Sequence, residues 1–214
     1  MVRSSIVLPA AALLALTASP VLAQSNIDPN HKFAWGENTG WLNWRDANGG
    51  AQGVAVRTTH LEGFIWGENA GWINTGNGGG PYPAPAAQTG AAFGVNIRTD
   101  GFLEGFAWGE NIGWVNFGTA PTIGADGARY DDSADRFRGY AWSETKGWIN
   151  LDDATHFVAS CIEDLNGDGM IDGIDLGQLL GAWGPAPGHP ADLNGDGIVN
   201  GIDLGFLLGA WGPC

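Results

Sequence analysis

The 214-residue chain has few basic residues, two cysteines and no long apolar run beyond its N-terminal segment. It contains nine Lys and Arg against 23 Asp and Glu, a formal net charge of −14. Nucleic acid is therefore an unfavourable partner, because phosphate binding depends on Lys and Arg. After residue 23 no segment approaches the ~20 apolar residues of a membrane helix, so we expect no membrane span in the mature chain.

Residues 1–23 have the pattern of a signal peptide. Arg3 precedes an apolar run from Ile6 to Leu16, and small residues follow up to Ala23. The sequence predicts an exported protein, secreted or held at the cell surface, whose mature chain begins at Gln24. In that oxidising setting Cys161 and Cys214 are expected to form one disulfide, with two free thiols as the alternative.

Catalytic motifs are missing as well. The chain has no GxSxG, Walker or HExxH sequence, and its four histidines lack metal-ligand spacing. We therefore predict a protein that is not an enzyme. A small glycoside hydrolase is the third interpretation, since that chemistry needs only two facing carboxylates. The glutamates that would supply them are Glu37, Glu68, Glu110 and Glu144.

Tryptophan, by contrast, is abundant, and eight of the eleven lie in four copies of one motif. The copies, here called box 1 to box 4, are FAWGENTGWLN (33–43), FIWGENAGWIN (64–74), FAWGENIGWVN (106–116) and YAWSETKGWIN (140–150). Strand-like residues around a central turn predict a mainly β fold for residues 24–160, built from repeated antiparallel hairpins in a meander. A propeller, a solenoid and an irregular sandwich are all compatible with this periodicity.

The ENxG segment of each box predicts a hairpin turn whose glycine adopts the left-handed conformation. We expect Glu37 to lie opposite Trp41, and Trp35 opposite Asn43. Strand alternation then places the tryptophans on one face. Their burial between neighbouring units is the favoured interpretation; the alternative is that exposed rings bind carbohydrate. The residues concerned are Trp35, Trp41, Trp66, Trp72, Trp108, Trp114, Trp142 and Trp148.

The acidic segment 161–214 contains two copies of an EF-hand-like calcium loop, 28 residues apart. Oxygen ligands at loop positions 1, 3, 5, 9 and 12, a backbone carbonyl at position 7 and a glycine at position 6 suit a hard cation. The sequence predicts two bound Ca²⁺ ions. The first set is Asp164, Asn166, Asp168, Met170 (carbonyl), Asp172 and Asp175; the second is Asp192, Asn194, Asp196, Ile198 (carbonyl), Asn200 and Asp203.

One amphipathic helix is predicted after each loop, with Leu176, Leu179, Leu180 and Trp183 as the apolar stripe of the first. Duplicated loops, one helix after each and a terminal Asp at position 12 resemble the type I dockerin family. The resemblance covers residues 161–214 and implies calcium binding and docking onto a cohesin-type or other surface protein. Members often carry hydroxyl side chains at positions 10 and 11, whereas this chain has Gly and Ile.

The sequence therefore predicts a mainly β body, followed by a small α-helical EF-hand pair. Its expected function is that of a secreted, non-catalytic, calcium-binding protein whose tail mediates docking or surface assembly, in a polysaccharide-degradation context. Carbohydrate binding by the body, with a polysaccharide as partner, is the alternative.

Overall fold

The computed structural model describes residues 25–49, 51–83, 87–88 and 93–214. The predicted signal peptide lies outside these described residues. The protein is mainly β, with antiparallel strands in the body and two helices near the C-terminus, which confirms the predicted fold class. Within the described ranges, no helix has the length and apolar character needed to cross a membrane.

The described part of the chain contains seventeen strands, three α-helices and a 3-10 helix at Gly124–Asp126. The strands are β1 (Ile27–Gly36), β2 (Gly40–Asn43), β3 (Ala55–Val56), β4 (Leu61–Gly67), β5 (Gly71–Gly76), β6 (Val95–Ile97), β7 (Leu103–Gly109), β8 (Gly113–Asn116), β9 (Arg129–Asp131), β10 (Arg136–Arg138), β11 (Tyr140–Ser143), β12 (Gly147–Asn150), β13 (Val158–Ser160), β14 (Met170–Ile171), β15 (Gly184–Pro185), β16 (Ile198–Val199) and β17 (Gly212–Pro213). The helices are α1 (Ala120–Ile123), α2 (Gly173–Gly181) and α3 (Gly201–Gly209).

The four boxes form four hairpins that close into a ring. The hairpins are β1–β2, β4–β5, β7–β8 and β11–β12, and each pairs with the next through an antiparallel edge. The last strand, β12, pairs with β1, so eight strands form a closed, barrel-like sheet. None of the three arrangements considered from periodicity describes this ring, because the units join edge to edge instead of stacking face to face.

The hairpin turns have the predicted glycine conformation but not the predicted register. Gly40, Gly71 and Gly113 each have φ near 71°, in the left-handed region. Trp35, however, lies opposite Trp41, and Phe33 lies opposite Asn43, so the predicted register is wrong by two residues. The pairing of Gly36 with Gly40 leaves three residues in the loop and brings the two tryptophans of each box together.

The predicted burial of the tryptophans between units is also wrong. Six of the eight box tryptophans are 38–44% exposed, and Trp114 and Trp142 are half-buried. The opposite face of each hairpin fills the interior of the ring instead, with small and branched residues. These include Ala34, Leu42, Ile65, Ile73, Ala107, Val115, Ala141 and Ile149, all buried.

The glycine at the fourth position of boxes 1 to 3 is required by this narrow interior. A Cβ on Gly67 would lie 2.6 Å from Leu42 Cδ2, and one on Gly109 would lie 2.8 Å from Ile112 Cγ1. Ile112 occupies the seventh box position and is buried at the turn end of the ring, as are Thr39 and Ala70 in boxes 1 and 2. A glycine at the fourth box position therefore leaves the interior space that the buried seventh residue occupies.

The tail is built from two matching halves that exchange short strands. β14 of the first loop pairs with β17, and β15 pairs with β16 of the second loop. Leu179 and Leu207, from α2 and α3, are fully buried in a core of the tail's own. The predicted disulfide Cys161–Cys214 is present and joins the two ends of the tail.

Polar contacts attach the tail to the ring. Cys161 N–H donates to the carbonyl oxygen of Asn26 at 2.7 Å. The Arg45 guanidinium donates to the carbonyl oxygen of Gly167, inside the first predicted calcium loop, at 2.6 Å, and it also contacts the carbonyl of Ile27. Because Arg45 follows box 1, one side chain connects the ring, the first strand and the loop.

We expect Gly109→Ala to destabilise the body by about 1–3 kcal/mol, because the added methyl overfills the interior beside Ile112. Urea unfolding followed by tryptophan fluorescence would measure the free energy of unfolding. In the Ile112→Ala background the same change should lower the free energy of unfolding by less, because the side chain that the added methyl would contact is shorter. An equal cost in both backgrounds would contradict this explanation.

Candidate calcium loops and exposed surfaces

Asp164 opens the first loop and is held by the loop's own backbone. Its Oδ1 accepts hydrogen bonds from Gly167 N at 2.7 Å and Asp168 N at 3.2 Å, and its Oδ2 accepts one from Gly169 N at 2.8 Å. Gly169 has a φ of 91°, which a side chain would disfavour. The sixth position thus makes the sharp turn that the predicted calcium loop requires.

The twelfth residue of the first loop closes it from the other side. Asp175 is 0% exposed, and its Oδ1 accepts from Leu165 N and Asn166 N at 2.9 and 3.1 Å. Its Oδ2 accepts from Asp172 N at 2.8 Å, and Asp172 caps the N-terminus of α2. One carboxylate therefore connects the start of the loop to the helix that follows.

The second loop repeats this arrangement 28 residues later. Asp192 Oδ2 accepts from Gly197 N at 2.8 Å, and Asp203 accepts from Leu193 N at 2.9 Å and Asn200 N at 2.8 Å. Asn200 takes the capping position of Asp172. The second loop therefore offers one carboxylate fewer than the first.

The remaining predicted ligands lie along the same loops. Asn166 Oδ1 accepts from Asp168 N at 2.8 Å, and Asp168 Oδ1 accepts from Met170 N at 2.9 Å. Asn194 and Asp196 make the equivalent contacts in the second loop. Met170 and Ile198, proposed as carbonyl ligands, begin β14 and β16.

The donor set fits a hard cation. Every predicted ligand atom is an oxygen, and the chain provides no Lys or Arg between residues 161 and 214 to neutralise these carboxylates. Burial raises the pKa of Asp164, and the nearby Asp175 carboxylate raises it further. A divalent cation would offset both effects, because it stabilises the ionised carboxylates. Assignment of the individual ligands remains a prediction.

The predicted apolar stripe of the first helix divides between the core and the surface. Leu179 is buried and Leu176 half-buried, whereas Leu180 and Trp183 are exposed. In α3, Leu207 is buried while Leu208 and Trp211 are exposed. The tail thus has matching exposed apolar surfaces on its two halves.

Ile174 and Ile202, at loop position 11, are also exposed, at 57% and 56%. In the sequence these residues are distinguished only as departures from the family pattern. Their 28-residue duplication was the available signal, because two apolar residues that recur at the same loop position and stay outside the core need another reason to be there.

The outer face of the ring carries rows of side chains that cross from one box to the next. At the junction of boxes 1 and 2, Phe33 lies opposite Asn43, and Asn43 lies opposite Trp66. The same order recurs at the other three junctions, where Asn74 lies opposite Trp108, Asn116 opposite Trp142, and Asn150 opposite Trp35. The recurring face is therefore an external, four-fold repeated surface.

The recurring asparagine has a structural role on this face. Asn43 Oδ1 accepts from Arg45 N at 2.9 Å, and Asn150 Oδ1 accepts from Asp152 N at 2.9 Å. Asn74 and Asn116 do the same with Gly76 and Gly118. Each asparagine turns the chain as it leaves its box, which accounts for its recurrence without a ligand.

Comparison with known families assigns only the tail. Residues 162–208 match the model of the dockerin type I domain, which confirms the resemblance seen in the sequence. The ring is unassigned. Neither the curated proteins nor the solved structures provide a match to the chain.

Dockerin type I domains are non-catalytic docking modules that typically bind calcium and a cohesin-type partner, and they occur in extracellular or cell-surface proteins.

We expect the calcium-free full chain to bind two Ca²⁺ ions in isothermal titration calorimetry, with the tighter event in the four-carboxylate first loop. Asp164→Ala should remove one event and Asp192→Ala the other, each with loss of helical circular dichroism. Asp100→Ala, in an exposed turn of the body between β6 and β7, is the control and should leave both events intact. Two unchanged events in Asp164→Ala would contradict the ligand assignment.

Proposed function

We propose that this is an exported, non-catalytic attachment protein whose calcium-loaded tail docks onto a cohesin-type domain. The observation that carries the proposal is the dockerin match over residues 162–208, together with the two sets of oxygen ligands in its loops. Two bound ions would hold the loops and helices in a single arrangement. Export rests on residues 1–23, and N-terminal sequencing of the secreted protein should begin at Gln24.

The exposed apolar surfaces of the tail are the proposed contact region. Leu180 and Leu208 are each 51% exposed, and each half of the tail also exposes one tryptophan and one isoleucine. Burial of such side chains is the usual source of affinity at the centre of a protein interface. With Gly and Ile at positions 10 and 11 of both loops, this surface would recognise its partner through apolar contacts rather than through hydroxyls.

The test is binding to a recombinant type I cohesin domain, measured by calorimetry with calcium and with EDTA. We expect binding only with calcium, and loss of at least tenfold in affinity in the Leu180→Asp/Leu208→Asp double variant, because charges would replace the apolar contacts. Both side chains are exposed, so the variant should still bind calcium.

Trp108→Ala, a similarly exposed apolar side chain on the ring, is the control for that experiment and should bind cohesin normally. Calcium-independent binding, or full binding by the double variant, would contradict this docking surface.

The exposure of the box tryptophans favours carbohydrate binding by the ring as a second function. An exposed indole offers a flat apolar surface to the C–H face of a sugar ring. The ring would then hold a polysaccharide while the tail attaches to a partner protein, which is consistent with a polysaccharide-degradation context.

Gel electrophoresis through hydroxyethyl cellulose, galactomannan or arabinoxylan tests this second function. We expect at least one of the three to retard the protein. The Asp164→Ala/Asp192→Ala variant should be retarded equally, because the tryptophans belong to the ring. Normal mobility in all three gels would exclude binding of these neutral polysaccharides.

A further inference from the structure

A groove of about 510 Å³ lies where the ring closes, between box 4 and box 1. We call it the seam groove. Box 1 contributes Trp35, Glu37 and Asn38, and box 4 contributes the remainder of its lining: Tyr140, Trp142, Lys146, Gly147, Trp148 and Asn150. Its walls thus come from the two boxes that are most distant in sequence.

The junction of box 4 and box 1, called the seam, differs chemically from the other three junctions. Tyr140 stands where boxes 1 to 3 have phenylalanine, and Lys146 stands where they have Thr39, Ala70 and Ile112. Lys146 is the only basic residue in the four boxes. Tyr140, Lys146 and Glu37 therefore line the groove together with three tryptophans.

Packing inside the ring explains why Lys146 is available to the groove. In boxes 1 to 3 the seventh residue is buried against the glycine at the fourth position. Box 4 has Ser143 at the fourth position, fully buried, with its Oγ 3.3 Å from Thr145 Oγ1. Lys146 is only half-buried, and its carbonyl oxygen accepts a hydrogen bond from Asn38 Nδ2 at 3.0 Å across the seam.

At two of the other junctions a residue from a neighbouring loop adds an aromatic contact. His156 packs on Trp41 with a ring-centroid distance of 4.6 Å, and Phe93 packs on Trp114 at 5.4 Å. At the seam, Trp148 contacts Tyr140 and Trp142, both of which belong to its own box. Trp35 and Trp148 at the seam are about as exposed as the tryptophans of the other junctions, so Tyr140 and Lys146 are the features that distinguish the seam.

We propose that the seam groove is the principal carbohydrate site and that it binds a neutral polysaccharide; this rests on the carbohydrate-binding function proposed for the ring. The tryptophans would stack on pyranose rings, while Tyr140, Lys146 and Glu37 would bind hydroxyl groups. A polyanion is disfavoured because Glu37 lies in the groove and the chain carries a net charge of −14.

Calorimetry of the calcium-loaded full chain, with the neutral polysaccharide that retards it, tests the assignment. Trp35→Ala should weaken binding at least tenfold, whereas Trp108→Ala should weaken it less than twofold. These two tryptophans are matched: they are 40% and 39% exposed, and each lies opposite an asparagine of the preceding box. The double variant Tyr140→Phe/Lys146→Met keeps the aromatic ring of residue 140 and the side-chain length of residue 146. It should also weaken binding about tenfold.

Each alternative result is distinct. Equal losses in Trp35→Ala and Trp108→Ala would overturn the seam as principal site while leaving carbohydrate binding by the ring in place. Binding to polygalacturonate in preference to neutral polymers would overturn the ligand class. Absence of binding to all three neutral polymers would overturn both the seam assignment and the second function.

Discussion

Edge-to-edge pairing of the four boxes is the constraint on which the ring depends. Since β12 pairs with β1, every strand of the ring has two neighbours and no backbone edge is left open. Eight strands enclose an interior that side chains can just fill, and this interior is narrow enough to require glycine at positions such as 67 and 109. The larger residues must therefore face outward.

The exposed tryptophans follow from that same constraint. One hairpin face can fill the interior, and the small residues occupy it, so the indoles form a repeated external surface. At the seam, Ser143 and Lys146 together depart from the pattern. The serine occupies volume that a buried seventh residue would need, and the lysine is left partly exposed in a groove. A change in interior packing thus alters surface chemistry.

The tail is a short acidic segment with a small core, and different interactions hold it. The buried carboxylates of Asp175 and Asp203 each accept three backbone hydrogen bonds, which join loop to helix. The disulfide closes the segment, and Arg45 connects the first loop to the ring. The predicted calcium ligands and the contact with the body therefore lie in the same loop, while Leu180, Leu208, Trp183 and Trp211 are exposed on the surface of the tail.

The sequence alone determined the box boundaries, the glycine turns, the disulfide and the dockerin resemblance, because each depends on local spacing or on a pattern repeated within the chain. The hairpin register was mispredicted by two residues, because the turn closes with a hydrogen bond from Thr39 N to Gly36 O and Gly36 pairs with Gly40. Only the tertiary structure decided which hairpin face is buried, because alternation defines two faces without choosing between them. Ring closure decided that box 4 meets box 1, so the seam groove, formed by residues more than 100 positions apart, is not visible in any local pattern.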